Sequence, residues 1–350
     1  MTKNTKLRIA MVAPPFGETG GPEVVVKNLT EALVKKGIDV TLFAPGDWST
    51  TAKHVHTLPK SLWNMKNFKN QTDIERRNLI IISQHCVLKY QKEFDIIHLH
   101  SQRYAASVSQ LSEKPCVLTM HNQIKKSDYA QLKKAGVYPV ALSNSRKKGL
   151  RGVCAIIENG LNVENIKYSL AKGSYLMALG RINEHKGFDL AIKIARLAKK
   201  KLLIFGRIGN SEERQAYFKK NIQPFLGNSI IYKGEATREK VFSYLRNAEG
   251  LLFPIKSRLS IVPLVAIEAL ACGTPIIGSK INNTSIPFDI SSVAYLSDDM
   301  KDLVFAAKNA QQFDRKKCRE FAEKYFDSSI MAEKYLSLYQ KIITARSANK

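Results

Sequence analysis

The chain repeats one pattern: a short continuous apolar run, a turn, then a stretch in which apolar residues recur every three or four positions. Arg8–Ala13 (RIAMVA) is the first such run, and it ends in Pro14-Pro15 and a Gly-rich loop, as a parallel strand buried on both faces would. Over Glu23–Lys36 the spacing of Val25, Leu29, Ala32 and Leu33 predicts a helix that Gly37 stops. Strands follow at Val40–Phe43, Ile96–His100, Val117–Met120 and Val140–Ser143, with a longer helix around Ile74–Tyr90. After a polar break at 162–173 the pattern restarts with strands at Tyr175–Leu179, Lys201–Phe205, Ser229–Tyr232, Leu251–Phe253 and Pro275–Gly278. Helical spacing separates them over Gly187–Lys199, Ser211–Phe225, Thr237–Asn247 and Val262–Ala271, and the chain closes with Ser328–Ile343. Alternation of this kind predicts an α/β protein of two Rossmann-like halves, each an open parallel sheet covered by helices, with ligands at the carboxyl ends of the strands. The expected domains are 1–168 and 169–350, the last helix (328–343) packing back on the first.

Composition narrows the class. With 350 residues, 44% hydrophobic and 24% charged, the chain has enough apolar side chains for packed cores, which excludes a disordered or collagen-like chain. No apolar run approaches the ~20 residues of a membrane-spanning helix. The short apolar stretch near the start lacks a small-residue cleavage site and reads as the first strand, not a signal peptide. Five cysteines, odd in number and never in a C-x-x-C pair, argue against a disulfide framework and a zinc site, so a cytoplasmic location is expected.

The net charge of +25 points to phosphate-rich or anionic partners. It is densest where Lys125, Lys126, Lys133, Lys134, Arg146, Lys147, Lys148 and Arg151 have Asp128 as the only acid among them. No zinc finger, RNA-recognition signature or basic helix running into heptads is present, which disfavours nucleic acid. Peripheral contact with an anionic membrane, at the inner face, fits better, because each cation near acidic lipid gains about 1 kcal/mol. A merely lysine-rich, solvated surface fits equally well.

Several residues can carry chemistry. The loop Gly17-Glu18-Thr19-Gly20-Gly21-Pro22 lies between a strand and a helix start, where paired glycines admit a ligand and free N–H groups favour an anion. It matches no dinucleotide or P-loop fingerprint, and a plain tight turn is the alternative. His98, His100 and His121 stand at or just past strand ends; His98 reads as a core histidine, whereas His121 opens a polar loop and is the better candidate for contacting a ligand. In Leu179-Gly180-Arg181-Ile182-Asn183-Glu184-His185-Lys186-Gly187 a strand delivers Arg181 into a loop and Lys186 stands at the next helix start, as a diphosphate leaving group requires, an exposed pair of bases being the alternative. Glu268 rides an otherwise apolar helix with Cys272, not a cation, at i+4. Such an acid needs partners, either ribose hydroxyls or a hidden salt bridge.

Taken together, GGPEVVVKNLTEALVKKGIDVTLFAPGD, FDIIHLHS, LTMHNQ, ALSNSRK, IENGLN, LGRINEHKG and AIEALACGTPIIGS resemble, in order, the motifs of the retaining family-4 (group 1) glycosyltransferases from about residue 8 to 343. That resemblance implies the GT-B architecture, two Rossmann-like domains with parallel sheets facing a central cleft. It further implies hexosyl transfer from a nucleotide-diphosphate sugar (UDP or GDP) to a lipid or envelope-glycan acceptor, with retention and without cofactor or metal. Gly20 and Gly21 would face donor phosphates or acceptor, His121 the transferred sugar, Arg181 and Lys186 the diphosphate, and Glu268 the ribose; Leu264 and Val265 would belong to the donor site.

The sequence departs from the family's E-x(7)-E pattern, because Ser260 stands where the first acid belongs and Pro263 replaces a glycine whose N–H would approach the donor. The stretch Asn282–Ser292 also lacks the usual Gly-rich, acid-bearing loop. A non-catalytic nucleotide-sugar-binding scaffold derived from such an enzyme is therefore the main alternative, with a sugar-nucleotide epimerase behind it.

Overall fold

The computed structural model describes residues 6–18, 20–66, 68–256, 262–280 and 288–348. Two compact units emerge: residues 1–162 with 328–350, and residues 163–327. The first contains seven strands, β1 (Arg8–Val12), β2 (Asp39–Ala44), β3 (Lys53–His56), β4 (Ile96–Leu99), β5 (Cys116–Thr119), β6 (Tyr138–Ala141) and β7 (Ala155–Ile156), paired in the order β3-β2-β1-β4-β5-β6-β7. All six pairings are parallel. The connecting helices are α1 (Gly21–Lys35), α2 (Asp73–His85), α3 (Ala105–Leu111), α4 (Lys126–Lys134) and α5 (Asn144–Lys147).

Each strand alternates its side chains between two helical layers. Ala10, Val12, Ile97, Leu99, Cys116 and Leu118 pack against Val108 of α3 and Tyr129 and Leu132 of α4. The predicted helix at Ile74–Tyr90 is instead α2, closed by a Thr72/Glu75 capping box, followed by a 3₁₀ segment, Cys86–Glu93, which carries Val87 into that same core. Strand β3 escapes a hydrophobicity-based reading because Lys-His-Val-His, an edge strand, is only half buried.

The second unit repeats the plan with β8 (Tyr175–Leu179), β9 (Leu202–Phe205), β10 (Ile230–Gly234), β11 (Ala248–Phe253), β12 (Ile276–Gly278) and β13 (Ala294–Leu296), in the parallel order β10-β9-β8-β11-β12-β13. Its helices are α6 (Phe188–Leu197), α7 (Glu212–Asn221), α8 (Arg238–Arg246), α9 (Leu264–Ala271), α10 (Met300–Lys308) and α11 (Arg315–Phe326). Both strand orders reverse direction once, between β1 and β4 and between β8 and β11, and such switch points open ligand crevices at the strand carboxyl ends.

Helix α12 (Ser328–Ala348) returns to the first unit. Its Tyr335 and Tyr339 are fully buried, meeting Thr119 at 2.6 Å and His98 at 2.6 Å, while Lys334 pairs with Glu158 and Glu333 with Lys36. The units divide at 162/163, where the sequence suggested 168/169. The difference has a local cause: α11 captures the intervening residues, with Arg319 Nη1 donating to Ile166 O at 2.6 Å and its guanidinium lying over the Tyr168 ring.

Candidate functional site

In the second unit, β8 and β9 end in glycines held at φ values open to few other residues, Gly180 at +149° and Gly206 at +154°. A Cβ on Gly206 would overlap the Gly180 carbonyl, and one on Gly187 (φ +66°) would overlap the Pro254 carbonyl just past β11. These close approaches draw the loop after β8 against the end of β11, at the switch point. Asn183 Oδ1 accepts from the Lys186 N–H at 3.2 Å and fixes the loop's one 3₁₀ turn. Arg181 is exposed, whereas Lys186 is half buried with its ammonium 5.3 Å from the Phe253 ring centre. Burial, and then the neighbouring Arg181, hold the Lys186 ammonium below its ordinary pKa. The sequence-predicted pair is thus brought together. Two cations crowded at a strand end gain most from an anion of two or more charges.

Helix α9 supplies the other predicted donor residues. Pro263 is its N-cap (φ −70°, ψ 141°), and the first backbone bonds to Pro263 O come from Ala266 and Ile267. Leu264 and Val265 therefore sit in the first turn, where N–H groups have no acceptor within the helix. Glu268 is buried, and the Arg238 guanidinium of α8 approaches its Oε1 to 2.7 Å without the alignment of a hydrogen bond. Burial pushes the Glu268 carboxyl above its ordinary pKa, against the opposing pull of Arg238. Arg238 is the residue that sequence reasoning missed: the pair joins two helices thirty positions apart in the chain, so no local spacing announces it. Ser260 and most of the 282–292 stretch lie outside the described residues. Cys272 is fully buried and its thiol is pushed up to about 12, the state of a packing residue.

In the first unit, Gly20 is the N-cap of α1, and a Cβ there would overlap the Glu23 carboxylate, whereas one on Gly21 would meet nothing within 4 Å. Gly20 thus leaves the space into which the Glu23 carboxylate folds back over the helix start. That carboxyl is 4% exposed, and burial raises it to about 7, so it is poised to titrate near neutrality. Glu23 lies within the quoted sequence pattern but was not singled out.

His98, inside β4, and His100 and His121, just past β4 and β5, lie side by side. His98 contacts Thr119 at 2.7 Å and Tyr339 at 2.6 Å, the satisfied core role expected of it, and His100 Nδ1 lies 2.9 Å from His121 Nε2. Burial, followed by the nearby Arg146 charge, lowers His121 to about 3, leaving it a neutral hydrogen-bonding ring. Among the described residues no three His, Cys, Asp or Glu side chains group as metal ligands, and no helix is long and apolar enough to cross a membrane.

Residues 165–286 match the glycosyl transferases group 1, and residues 19–157 match glycosyltransferase family 4. The chain belongs to the group 1/family 4 glycosyltransferases. A 41.2 kDa protein of the cps region of Klebsiella pneumoniae is 24% identical to this glycosyltransferase, over 92% of this chain and 96% of its own. Among solved structures, the sucrose-phosphate synthase of Thermosynechococcus elongatus is similar at a TM-score of 0.73 and 17% identity, covering 97% of this chain and all of its own (100%). Anabaena HepE in complex with UDP-glucose is similar at 0.65 and 15% identity, over 97% of this chain and 99% of that one. At these identities the structural likeness establishes the two-Rossmann-like GT-B fold of the glycosyltransferase and nothing finer.

Proposed function

We propose that this glycosyltransferase transfers a hexosyl group, with retention and without a metal, from a UDP- or GDP-sugar to a lipid or envelope-glycan acceptor. The observation that carries the reading is the Arg181–Lys186 pair, one side chain exposed and one half buried, at the carboxyl end of β8. The bond from the sugar C1 to the diphosphate breaks as C1 bonds the acceptor oxygen on the same face. The departing diphosphate takes the acceptor's hydroxyl proton, and Arg181 and Lys186 neutralise the charge it gains. Leu264 and Val265 offer first-turn amides to the donor, Glu268 a carboxylate to its ribose, and neutral His121 a ring nitrogen to a sugar hydroxyl. Gly21, open on its side-chain face, leaves room for a ligand at the start of α1.

The envelope acceptor is supported by the cps-region relative, and a UDP-sugar donor by the HepE complex. Peripheral contact with an anionic membrane belongs to the same proposal: α2 exposes Ile74 (70%), Ile81 (37%) and Ile82 (57%) on one helical face beside exposed Arg77. The reading is tested by calorimetric titration of UDP, GDP, ADP and their glucose, N-acetylglucosamine and mannose conjugates, with donor hydrolysis followed in parallel. One preferred nucleotide with slow hydrolysis supports it, and no binding overturns it. Pro263, which has no N–H at the cap of α9, favours the scaffold as a second reading, whose signature is nucleotide binding with neither hydrolysis nor transfer.

A further inference from the structure

Two arginines among the described residues are buried, and hydrogen bonds satisfy both. Arg315 donates to three carbonyl oxygens, those of Ser169 (2.8 Å), Ala248 (2.6 Å) and Arg246 (2.7 Å). Arg319 reaches Ile166 O (2.6 Å), Ala271 O (2.9 Å) and Glu323 (2.6 Å). Both hold the second unit together. Arg146, in the short helix α5 past β6, uses only its backbone N–H, which donates to Ser143 Oγ at 3.1 Å. The residue is half-buried, and its Nε and Nη1 are sealed from solvent without a hydrogen bond. Burial accordingly depresses its pKa, with no carboxylate opposing the shift, and its charge is felt at His121. Next to β6 in the sheet, β7 leads into Asn159, whose Oδ1 is likewise buried without a partner.

Leaving two nitrogens of a half-buried cation desolvated and unpaired is costly, and native folds retain such groups chiefly where a ligand completes them. We propose that Arg146 is the docking point for an oxyanion on the acceptor, a phosphate or carboxylate group carried close to the hydroxyl that is glycosylated. The planar fork of N–H donors suits both groups, because Nη2 together with Nε or with Nη1 can donate to two oxygens of one anion, which a lysine cannot copy. The acceptor's identity as the bound species rests on the glycosyl-transfer reading; the anion site itself does not.

The test uses the full chain and two probes, phenyl phosphate and D-glucuronate, titrated by calorimetry while the Arg146 Nε–H signal is followed by ¹H–¹⁵N NMR. At least one probe binds and moves that signal, and Arg146→Gln weakens its binding tenfold or more, with Arg146→Lys in between. Lys186→Ala leaves probe binding in place, and Arg146→Gln leaves nucleotide-sugar binding in place, so failure here is separable from failure of the donor reading. Which probe binds tells a phosphorylated acceptor from an acidic sugar. Arg146→Leu, which removes an unpaired, half-buried charge, melts at or above the wild-type temperature. Probe binding that survives Arg146→Gln, binding lost in Lys186→Ala, or failure of both probes to bind overturns the proposal. So does a marked fall in melting temperature for Arg146→Leu, because it would make the cation structural.

Discussion

Arg238 and Glu268 meet at 2.7 Å across two helices of the second unit, one side chain 36% exposed and the other 4%. The carboxylate is held in an otherwise apolar helix by a charge that water still reaches. Removing Arg238 strands a buried carboxylate, whereas neutralising Glu268 frees an arginine that can turn outward. Arg238→Ala is therefore expected to cost about 2–3 kcal/mol and Glu268→Gln less, partial exposure of Arg238 reducing the usual penalty for a broken buried pair. Urea unfolding of both variants checks this. Equal stabilities of Arg238→Ala and wild type would show that the pair does not form in solution.

Arg181 and Lys186 carry the proposed chemistry, and neither holds the fold together. Arg181 is exposed, and Lys186 touches the Phe253 ring without an ion pair among the described residues. Substituting either by alanine is expected to reduce turnover by about two orders of magnitude or more, the usual cost of deleting one group that stabilises a developing charge. Melting temperatures stay within a degree or two of wild type. Full activity in both variants would remove the basis of the assignment.

The first unit contains groups that respond to pH in opposite senses. Glu23 is raised in the fold to about 7 from its ordinary 4.5, so it favours the folded state fully below pH 4.5 and loses that contribution as pH rises through 7. The buried histidines are lowered, His121 to about 3 from 6.5, so their contribution is present above pH 6.5 and is lost as the unfolded chain takes up protons below it. At pH 5 His121 alone is worth about 2 kcal/mol of lost stability. Glu23→Gln is expected to be more stable than wild type at pH 8, by at most about 3 kcal/mol, and level with it near pH 4. Denaturant titrations of the two proteins between pH 4 and 8 read both effects. A constant difference across that range would mean that Glu23 is not desolvated.

Much of this architecture is legible in the chain because fully buried parallel strands are written as unbroken apolar runs. Tyr175–Leu179 appears in the structure with the bounds its sequence predicts. What lacks such a run is hidden: β3 is Lys-His-Val-His, and β7 is two residues long. Arg181 and Lys186 can be singled out because six consecutive positions hold both. The partners of Glu268 and His98, namely Arg238 and Tyr339, come from distant helices, and the sequence offers only the isolated polar residue that needs them. Arg146 is hidden for a different reason. It lies in a run of basic residues, and nothing in its neighbours tells the half-buried guanidinium from the exposed lysines at 147 and 148.

The exposed face of α2 is the last feature that a measurement can decide. Ile74, Arg77, Ile81 and Ile82 fall on one side of the helix, while Ile80, Ser83 and Gln84 turn inward. Apolar side chains alone would suit another copy of the chain as well as lipid. The charge of the first unit favours anionic lipid: it has 28 Lys and Arg against 13 Asp and Glu, and Lys125, Lys126, Lys133 and Lys134 are exposed on and beside α4. Such a surface repels its own copy and attracts acidic headgroups, at about 1 kcal/mol per cation near the bilayer. The protein is expected to sediment with vesicles containing phosphatidylglycerol and not with pure phosphatidylcholine, and to be released by salt. Ile81→Glu with Ile82→Glu should abolish sedimentation without lowering the melting temperature, since both side chains already face water. A concentration-dependent dimer broken by the same substitutions, with no vesicle binding, would assign this face to a second copy instead.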